Sequence, residues 1–277
     1  MLRKAKYKSN NVEEFLEKNP VFTLRELMHY IEQGSSGNKA PQAAYNFIKN
    51  RRRAGRLGVV KEGVYYVIRP GATARTMAVD EFLITSKLAP EAILAYHTAL
   101  DVLGFGHSLF SSYYYFSKTY RRPVRFRNSV FRCVTFPLAL SNVNKEYFGT
   151  EKIERLGVYI VTTGKERTLV EGLEQPGYCG GFEELYRSLE KMPYLQFDIL
   201  QEYLELRKRK KLYAIVGFFL EQHREEYHVE DKLLQELEHN KPSTPVYWDR
   251  SDKGGPFIKR WNLILPKTLA GRNWEEF

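Results

Sequence analysis

Residues 40–68 read APQAAYNFIKNRRRAGRLGVVKEGVYYVI, and the hydrophobic period changes inside this stretch. From Ala40 to about Ala54, Ala40, Ala44, Phe47 and Ile48 recur at helical spacing, with Pro41 in the first turn, where its missing N–H leaves no bond unmade. Beyond Gly55 the pattern becomes β-branched and aromatic. Leu57-Gly58-Val59-Val60 and Val64-Tyr65-Tyr66-Val67-Ile68 read as two strands around a turn at Glu62-Gly63. A helix leading into a hairpin is the second half of a winged helix-turn-helix, the hairpin being the wing.

The first half lies upstream. Asn11 is placed to cap a short helix, VEEFLEKN, with Val12, Phe15 and Leu16 on one face and Pro20 ending it. Thr23-Leu24-Arg25-Glu26 is a capping-box sequence, the threonine accepting from the N–H three residues on and the glutamate reaching back to the threonine's own N–H. It opens a second helix striped by Leu24, Leu27, Met28 and Ile31, which Gly34-Ser35-Ser36-Gly37 breaks. The third helix starts around Asn38 to Pro41.

On that third helix Gln42, Asn46, Lys49 and Arg53 share the face opposite the apolar stripe, flanked by Tyr45 and Asn50. Glutamine and asparagine pair bidentately with adenine, arginine and lysine with guanine, and a helix fits the major groove. The third helix is therefore the expected reader of double-stranded DNA. Arg51, Arg52, Arg53 and Arg56 at its end, Lys39 at its start and Lys61 in the wing are the expected phosphate contacts. Arg51 to Arg53 also suit the negative end of the helix dipole, a structural reading that stays open at this point.

Charge location agrees with that placement. The formal net charge is +10; residues 1–70 hold 14 Lys/Arg against 6 Asp/Glu, leaving 29 against 27 for the rest. A basic N-terminal module on a nearly neutral body points to a polyanionic partner. No stretch approaches the roughly 18 consecutive apolar residues of a membrane span, and MLRKAKYKSN lacks the apolar run of a signal peptide. A cytoplasmic protein without membrane contact is expected. Cys133 and Cys179 lie far apart, giving neither a disulfide framework nor zinc-ligand spacing, so both are expected as buried hydrophobes.

After a linker at Arg69-Pro70-Gly71, residues 78–88 and 92–103 have helical periodicity. Residues 113–116, 124–126, 130–136 and 158–161 read as strands, the second and third of these joined at Asn128-Ser129. Thr163-Gly164-Lys165-Glu166 looks like a second capping box before a helix from Arg167 to Gln175. Past Gly180-Gly181 the chain reads as helices over 182–189, 197–206, 212–222 and 232–238, with closing strands at 246–248 and 261–265. The five basic residues Arg207 to Lys211 suit a solvated helix end, with a second nucleic-acid or partner contact as the alternative.

A search for catalytic chemistry finds little. There is no phosphate-binding loop, no Rossmann glycine pattern, no H-E-x-x-H and no nucleophile elbow, and Gly104-Phe105-Gly106 lacks the third glycine. Glu230-Asp231-Lys232 imitates the acidic-x-lysine element of a metal-dependent nuclease, yet falls in a helix with no strand to present it. His223 and His228 fit no ligand spacing. No cofactor, metal site or catalytic residue is expected. The more serious rival reading is a stand-alone repressor whose tyrosine- and phenylalanine-rich second domain senses a small ligand.

Several stretches resemble the AbiEi family of type IV antitoxins. They are Arg53-Ala54-Gly55-Arg56-Leu57 and Lys61-Glu62-Gly63-Val64-Tyr65 in the winged helix, and Tyr96-His97-Thr98-Ala99-Leu100 followed by Gly104. Lys165-Glu166-Arg167-Thr168-Leu169-Val170-Glu171 leading into Gly180-Gly181, and Lys259-Arg260-Trp261-Asn262-Leu263, complete the set. Glu171 departs from the aspartate more usual there. The resemblance implies an operon shared with a nucleotidyltransferase-like toxin, repression through inverted repeats in the promoter, and a C-terminal domain that opposes the toxin without requiring a stable complex. His97, Arg167 and Trp261 read mainly as structural: a helix-start histidine, a capped helix start and a packed aromatic.

The expected architecture is α+β, a winged helix-turn-helix over residues 1–70 followed by a larger mixed α/β antitoxin domain over 71–277. No sustained heptad seam speaks for a dimer over a monomer.

Overall fold

The computed structural model describes residues 12–33 and 40–271. The expected Asn11 cap, the Gly34 to Gly37 break, Asn38 and Lys39 lie outside them. The chain divides into two compact units, one holding the chain up to Leu94 with Ser111–Cys133 and Lys152–Val161, the other holding Ala95–Phe110, Val134–Glu151 and the remainder from Thr162. Residue 70, the expected domain limit, thus falls inside the first unit. The fold is mixed α and β, as the sequence pattern implies.

The first unit opens with α1 (residues 12–18), β1 (Val21–Thr23), α2 (Leu24–Gln33), α3 (Ala40–Arg53), β2 (Leu57–Lys61) and β3 (Val64–Val67). This is the element order of a winged helix. Its three strands form an antiparallel sheet in the order β1-β3-β2, with Val21 opposite Tyr66 and Leu57 opposite Val67. β1 is a strand that the periodicity does not announce. The capping box forms as expected: Thr23 N–H donates to Glu26 Oε2 at 2.7 Å, and Glu26 N–H donates to Thr23 Oγ1 at 3.1 Å.

Phe15, Leu16, Phe22, Leu27, Ala44, Ile48, Leu57 and Tyr65 make the core beneath these elements. At roughly 25 cal/mol per Å² of apolar surface removed from water, burying residues of this kind is what holds three short helices together. Gly58 is required by packing, since a Cβ there would lie 2.0 Å from Tyr66 Cζ.

The same unit continues through α4 (Glu81–Ser86), capped by Asp80 accepting from Leu83 N–H at 2.9 Å, and carries most of a six-stranded sheet. Its strands are β4 (Ile93–Leu94), β5 (Ser112–Ser117), β6 (Val124–Phe126), β7 (Ser129–Thr135), β8 (Thr150–Arg155) and β9 (Val158–Thr163), in the order β6-β7-β5-β4-β9-β8. The winged helix is fastened inside this unit by specific contacts. Lys87 is ion-paired with Glu26 at the head of α2, Tyr66 O–H donates to Ala74 O at 3.0 Å, and the Tyr66 and Phe126 rings meet edge-on at 5.6 Å.

The second unit contains α5 (His97–Val102), α6 (Leu138–Ser141), α7 (Lys165–Glu174), α8 (Phe182–Leu189), α9 (Phe197–Arg207), α10 (Lys210–Gln222), α11 (Asp231–His239) and α12 (Lys267–Gly271). β10 (Val246–Tyr247), β11 (Phe257–Ile258) and β12 (Leu263–Ile264) form a small sheet, β10 parallel and β11 antiparallel to the central β12. Trp261 is fully buried over Gly217, where a Cβ would meet its Cζ3 at 2.2 Å, and its Nε1–H donates to Glu221 Oε2 at 2.7 Å.

Two local expectations are corrected. The helix expected over 92–103 is a strand followed by a helix, with Tyr96 at φ 56° between them; a fully buried strand such as Ile93-Leu94 shows no alternation to separate it from a helix. The second capping box does not form, because Thr163 ends β9 and Gly164 takes the N-cap position. Glu166 accepts instead from Gln196 N–H at 2.8 Å, and Thr163 Oγ1 pairs with Thr168 Oγ1 at 2.7 Å.

Candidate nucleic-acid interface

The surface of α3 follows from its two-sided sequence. Ala40, Ala44 and Ile48 are buried and Phe47 half-buried, so the opposite face turns outward. Gln42, Asn46, Lys49 and Arg53 are all exposed along it, with Tyr45, 55% exposed, and Asn50 beside them. Gln42 Nε2 donates to Asn46 Oδ1 at 3.1 Å, which ties the two exposed amides together one turn apart. Such a row can address base edges.

The basic end of α3 is less uniform than its sequence. Arg52 and Arg53 are exposed, and so is Arg56 just past Gly55, whose φ of 67° turns the chain out of the helix. Arg56 N–H closes that turn on Arg51 O at 2.9 Å. Arg51 is different: its guanidinium is ion-paired with Glu13 of α1 and lies over the Phe47 ring at 5.3 Å from the centroid. Arg51 staples α1 to α3. Lys61 is half-buried at the end of β2, next to the irregularity in the β2–β3 register, and Lys39 lies outside the described residues.

Sequence reasoning passed over a second basic surface. Between Asp101 and Glu146 the chain carries seven Lys/Arg and no Asp or Glu, a run hidden when charge is summed over residues 71–277. Six of the seven, Lys118 to Arg132, fall on β6, β7 and the loop before them, in the same unit as the winged helix, while Lys145 belongs to the second unit. Arg122, Arg125 and Arg132 are exposed there. Arg127 has a structural task, donating to Met77 O at 2.7 Å and Ala74 O at 2.8 Å while stacking on Phe126, which anchors the hairpin to the chain leaving the wing. The signal that would have found this surface is the acid-free run itself.

In the second unit His97, Arg167 and Trp261, three of the residues in the stretches that carried the resemblance, are buried. His97 is 1% exposed, and its Nε2 contacts Glu184 Oε1 at 3.0 Å. The same oxygen accepts from His107 N–H at 3.1 Å and Ser108 N–H at 2.9 Å. Burial alone would raise the Glu184 carboxyl, but the donors from Ser108 and His97 outweigh it and hold the group below the usual carboxylate range. Arg167, fully buried, donates Nε–H to Glu171 Oε1 at 2.9 Å and Nη1–H to Glu146 O and Phe148 O. Tyr203 O–H donates to the same Glu171 oxygen at 2.5 Å, its phenol pushed up first by burial and then by the Glu171 charge.

The Arg207 to Lys211 run is partly consumed inside the fold. Arg207, buried, and Arg209, exposed, both pair with Glu174, Lys211 donates to Trp248 O at 2.6 Å, and Lys208 and Lys210 are exposed. The solvated-charge reading therefore holds for Lys208, Arg209 and Lys210, and of these Lys208 and Lys210 are the ones left for a second contact. Asp231 starts α11 and pairs with Arg224 at 2.9 Å, while His223 contacts Glu226 at 2.8 Å. Among the described residues no group of three or more His, Cys, Asp or Glu is placed to hold a metal ion, and no helix is long and apolar enough to cross a membrane. Cys133 and Cys179 are both buried and no disulfide joins them; Cys133 Sγ–H donates to Thr119 O at 3.6 Å.

No family model and no curated protein matches the chain. Among solved structures it is similar to the crystal structure of the RV2827C protein from Mycobacterium tuberculosis, with a TM-score of 0.57 and 16% identity over 94% of this chain and 91% of that one. At that identity the likeness is one of fold over nearly the full length of both chains.

Proposed function

We propose that the chain is a DNA-binding antitoxin of the type IV kind, which represses its own operon and counters a nucleotidyltransferase-like toxin without catalysis of its own. The observation that carries the DNA-binding part is the exposed Gln42, Asn46, Lys49, Arg53 row on α3 of a winged helix. Base readout belongs to that row, and phosphate neutralisation to Arg52, Arg53, Arg56 and Lys61. Arg122, Arg125 and Arg132 add a second set of cations on the same compact unit. The antitoxin part rests on the AbiEi resemblance. On this reading the protein works in the cytoplasm and opposes a toxin with no stable complex required.

Two assays test the two parts separately. Footprinting on the DNA upstream of the gene is expected to protect inverted repeats. Co-expression with the product of the neighbouring gene is expected to restore growth that the product alone arrests. Protected repeats beside a harmless neighbour would replace the antitoxin reading with a stand-alone repressor. Rescue without protection would remove the repressor role.

A further inference from the structure

The six-stranded sheet ends on β8, whose one neighbour in that sheet is β9. An outer strand turns a row of backbone N–H and C=O groups away from its sheet, a ready template for another strand. β8 reads Thr150-Glu151-Lys152-Ile153-Glu154-Arg155, with neither proline nor glycine to spoil pairing. Its four charges are ordered around Ile153 so that the strand is complementary to itself.

If a second copy pairs antiparallel with Ile153 opposite its own counterpart, Glu151 faces Arg155 of the partner subunit and Lys152 faces Glu154 of the partner subunit. Every charged residue then meets the opposite sign. The neighbouring registers all fail. A slip of one position puts Glu151 opposite Glu154 in one direction and Lys152 opposite Arg155 in the other. A further slip puts Lys152, or Glu154, opposite itself. Like charges directly opposite destabilise a pair of strands by about as much as unlike ones stabilise it, roughly 0.2–1 kcal/mol each. The charges that protect this edge from other strands thus admit one register with itself.

The surroundings suit that pairing. Lys152 and Glu154 are exposed and carry the attraction across the two strands, whereas Ile153 and Arg155 are half-buried and Arg155 is already held by Asp80 at 2.5 Å, so its pair with Glu151 of the partner subunit adds little. The turn to β9 is the two-residue Leu156-Gly157, both at positive φ (51° and 79°), the tight loop whose twist matches that of the flanking strands. Leu156 is 61% exposed in a backbone conformation that leucine rarely adopts. In the complementary register it lies opposite Thr150 of the partner subunit, which gives that exposed side chain a neighbour.

We propose that the protein forms a two-fold dimer by antiparallel pairing of β8 with β8, joining two six-stranded sheets into one. This interface is independent of the DNA-binding reading, and its test needs no DNA. Sedimentation of the full chain across a dilution series is expected to show a monomer–dimer equilibrium. Lys152→Glu places two Glu–Glu pairs across the interface and Glu154→Lys two Lys–Lys pairs, each weakening dimerisation about tenfold or more. The double variant Lys152→Glu, Glu154→Lys exchanges the charges and restores it. All three changes are at exposed positions, and unchanged circular dichroism checks that the fold is kept. Ile153→Cys is expected to cross-link on oxidation, and added Lys152→Glu to suppress the cross-link. A monomer throughout the series, a dimer indifferent to either single reversal, or a double variant no better than the singles overturns the proposal.

Discussion

Replacing Arg51 by glutamine separates a structural arginine from its DNA-facing neighbours. The Arg51 guanidinium pairs with Glu13, the two side chains being 30% and 38% exposed, and stacks on Phe47. A half-exposed ion pair of this sort contributes about 0.5 kcal/mol and the cation–π contact about 0.5–1 kcal/mol, so Arg51→Gln is expected to cost about 1–1.5 kcal/mol of stability. It should leave the salt dependence of DNA binding nearly unchanged. Arg52 and Arg53 are exposed, so the double change Arg52→Gln, Arg53→Gln is expected to leave stability alone and lower the slope of log K against log salt by about 1.8, at about 0.9 per phosphate. Urea melts give the first quantity, and fluorescence anisotropy of a labelled duplex over a salt series gives the second. An Arg51→Gln variant that loses about 0.9 of slope with its stability intact would refute the assignment of Arg51 as a staple.

Three further outcomes follow from the packing and polar contacts. Glu184→Gln is expected to destabilise the second unit by roughly 2 kcal/mol, since His97 and two backbone N–H groups lose a charged acceptor. The Glu184 carboxyl is held low in the folded state, so its contribution is present above the ordinary carboxylate value and is lost as pH falls through the folded one. Urea melts at neutral and acidic pH should therefore converge for wild type and variant only on the acidic side. Gly217→Ala drives a methyl into the Trp261 ring and should cost about 1–3 kcal/mol in thermal melts, with Trp261 fluorescence altered. Lys208, at φ 51° after α9, sits where glycine is the usual residue; Lys208→Gly is expected to raise stability by about 0.5–1 kcal/mol, and a loss would count against a strained cap.

The winged helix was legible because each of its signals is local. A stripe at helical spacing, a capping box and a hairpin turn at Glu62-Gly63 are each decided within a few residues, and they agree with one another. β1 escaped because three residues after Pro20 carry no period, and their strand identity comes from pairing with β3, more than forty positions away in the chain. β8 escaped for the opposite reason: a strand at the edge of a sheet keeps one apolar residue among four charges, which reads as solvent-exposed chain.

The candidate site was half legible. Exposure on α3 follows from the helical period, so Gln42, Asn46, Lys49 and Arg53 emerge from spacing alone. That Arg51 is consumed by Glu13 depends on how α1 crosses α3, which no local pattern contains. The basic hairpin at Arg122 to Arg132 was present in the charge pattern and was lost by averaging over two hundred residues. In the second unit, Arg167 read as a structural helix-start residue and does lie in the first turn of α7, where its side chain is the centre of a buried ion-paired network. Sequence shows its neighbour Glu171 at i+4 but not the tyrosine that completes the contact from α9.

The account stands most directly on binding to the DNA upstream of the gene, measured by anisotropy with excess nonspecific competitor. Wild type is to be compared with the variant Gln42→Ala, Asn46→Ala, Lys49→Ala, Arg53→Ala. Specific binding by the wild type, lost in the variant while its melting curve is kept, is the result predicted for a reader helix. Equal binding by both proteins, or by neither, would contradict it.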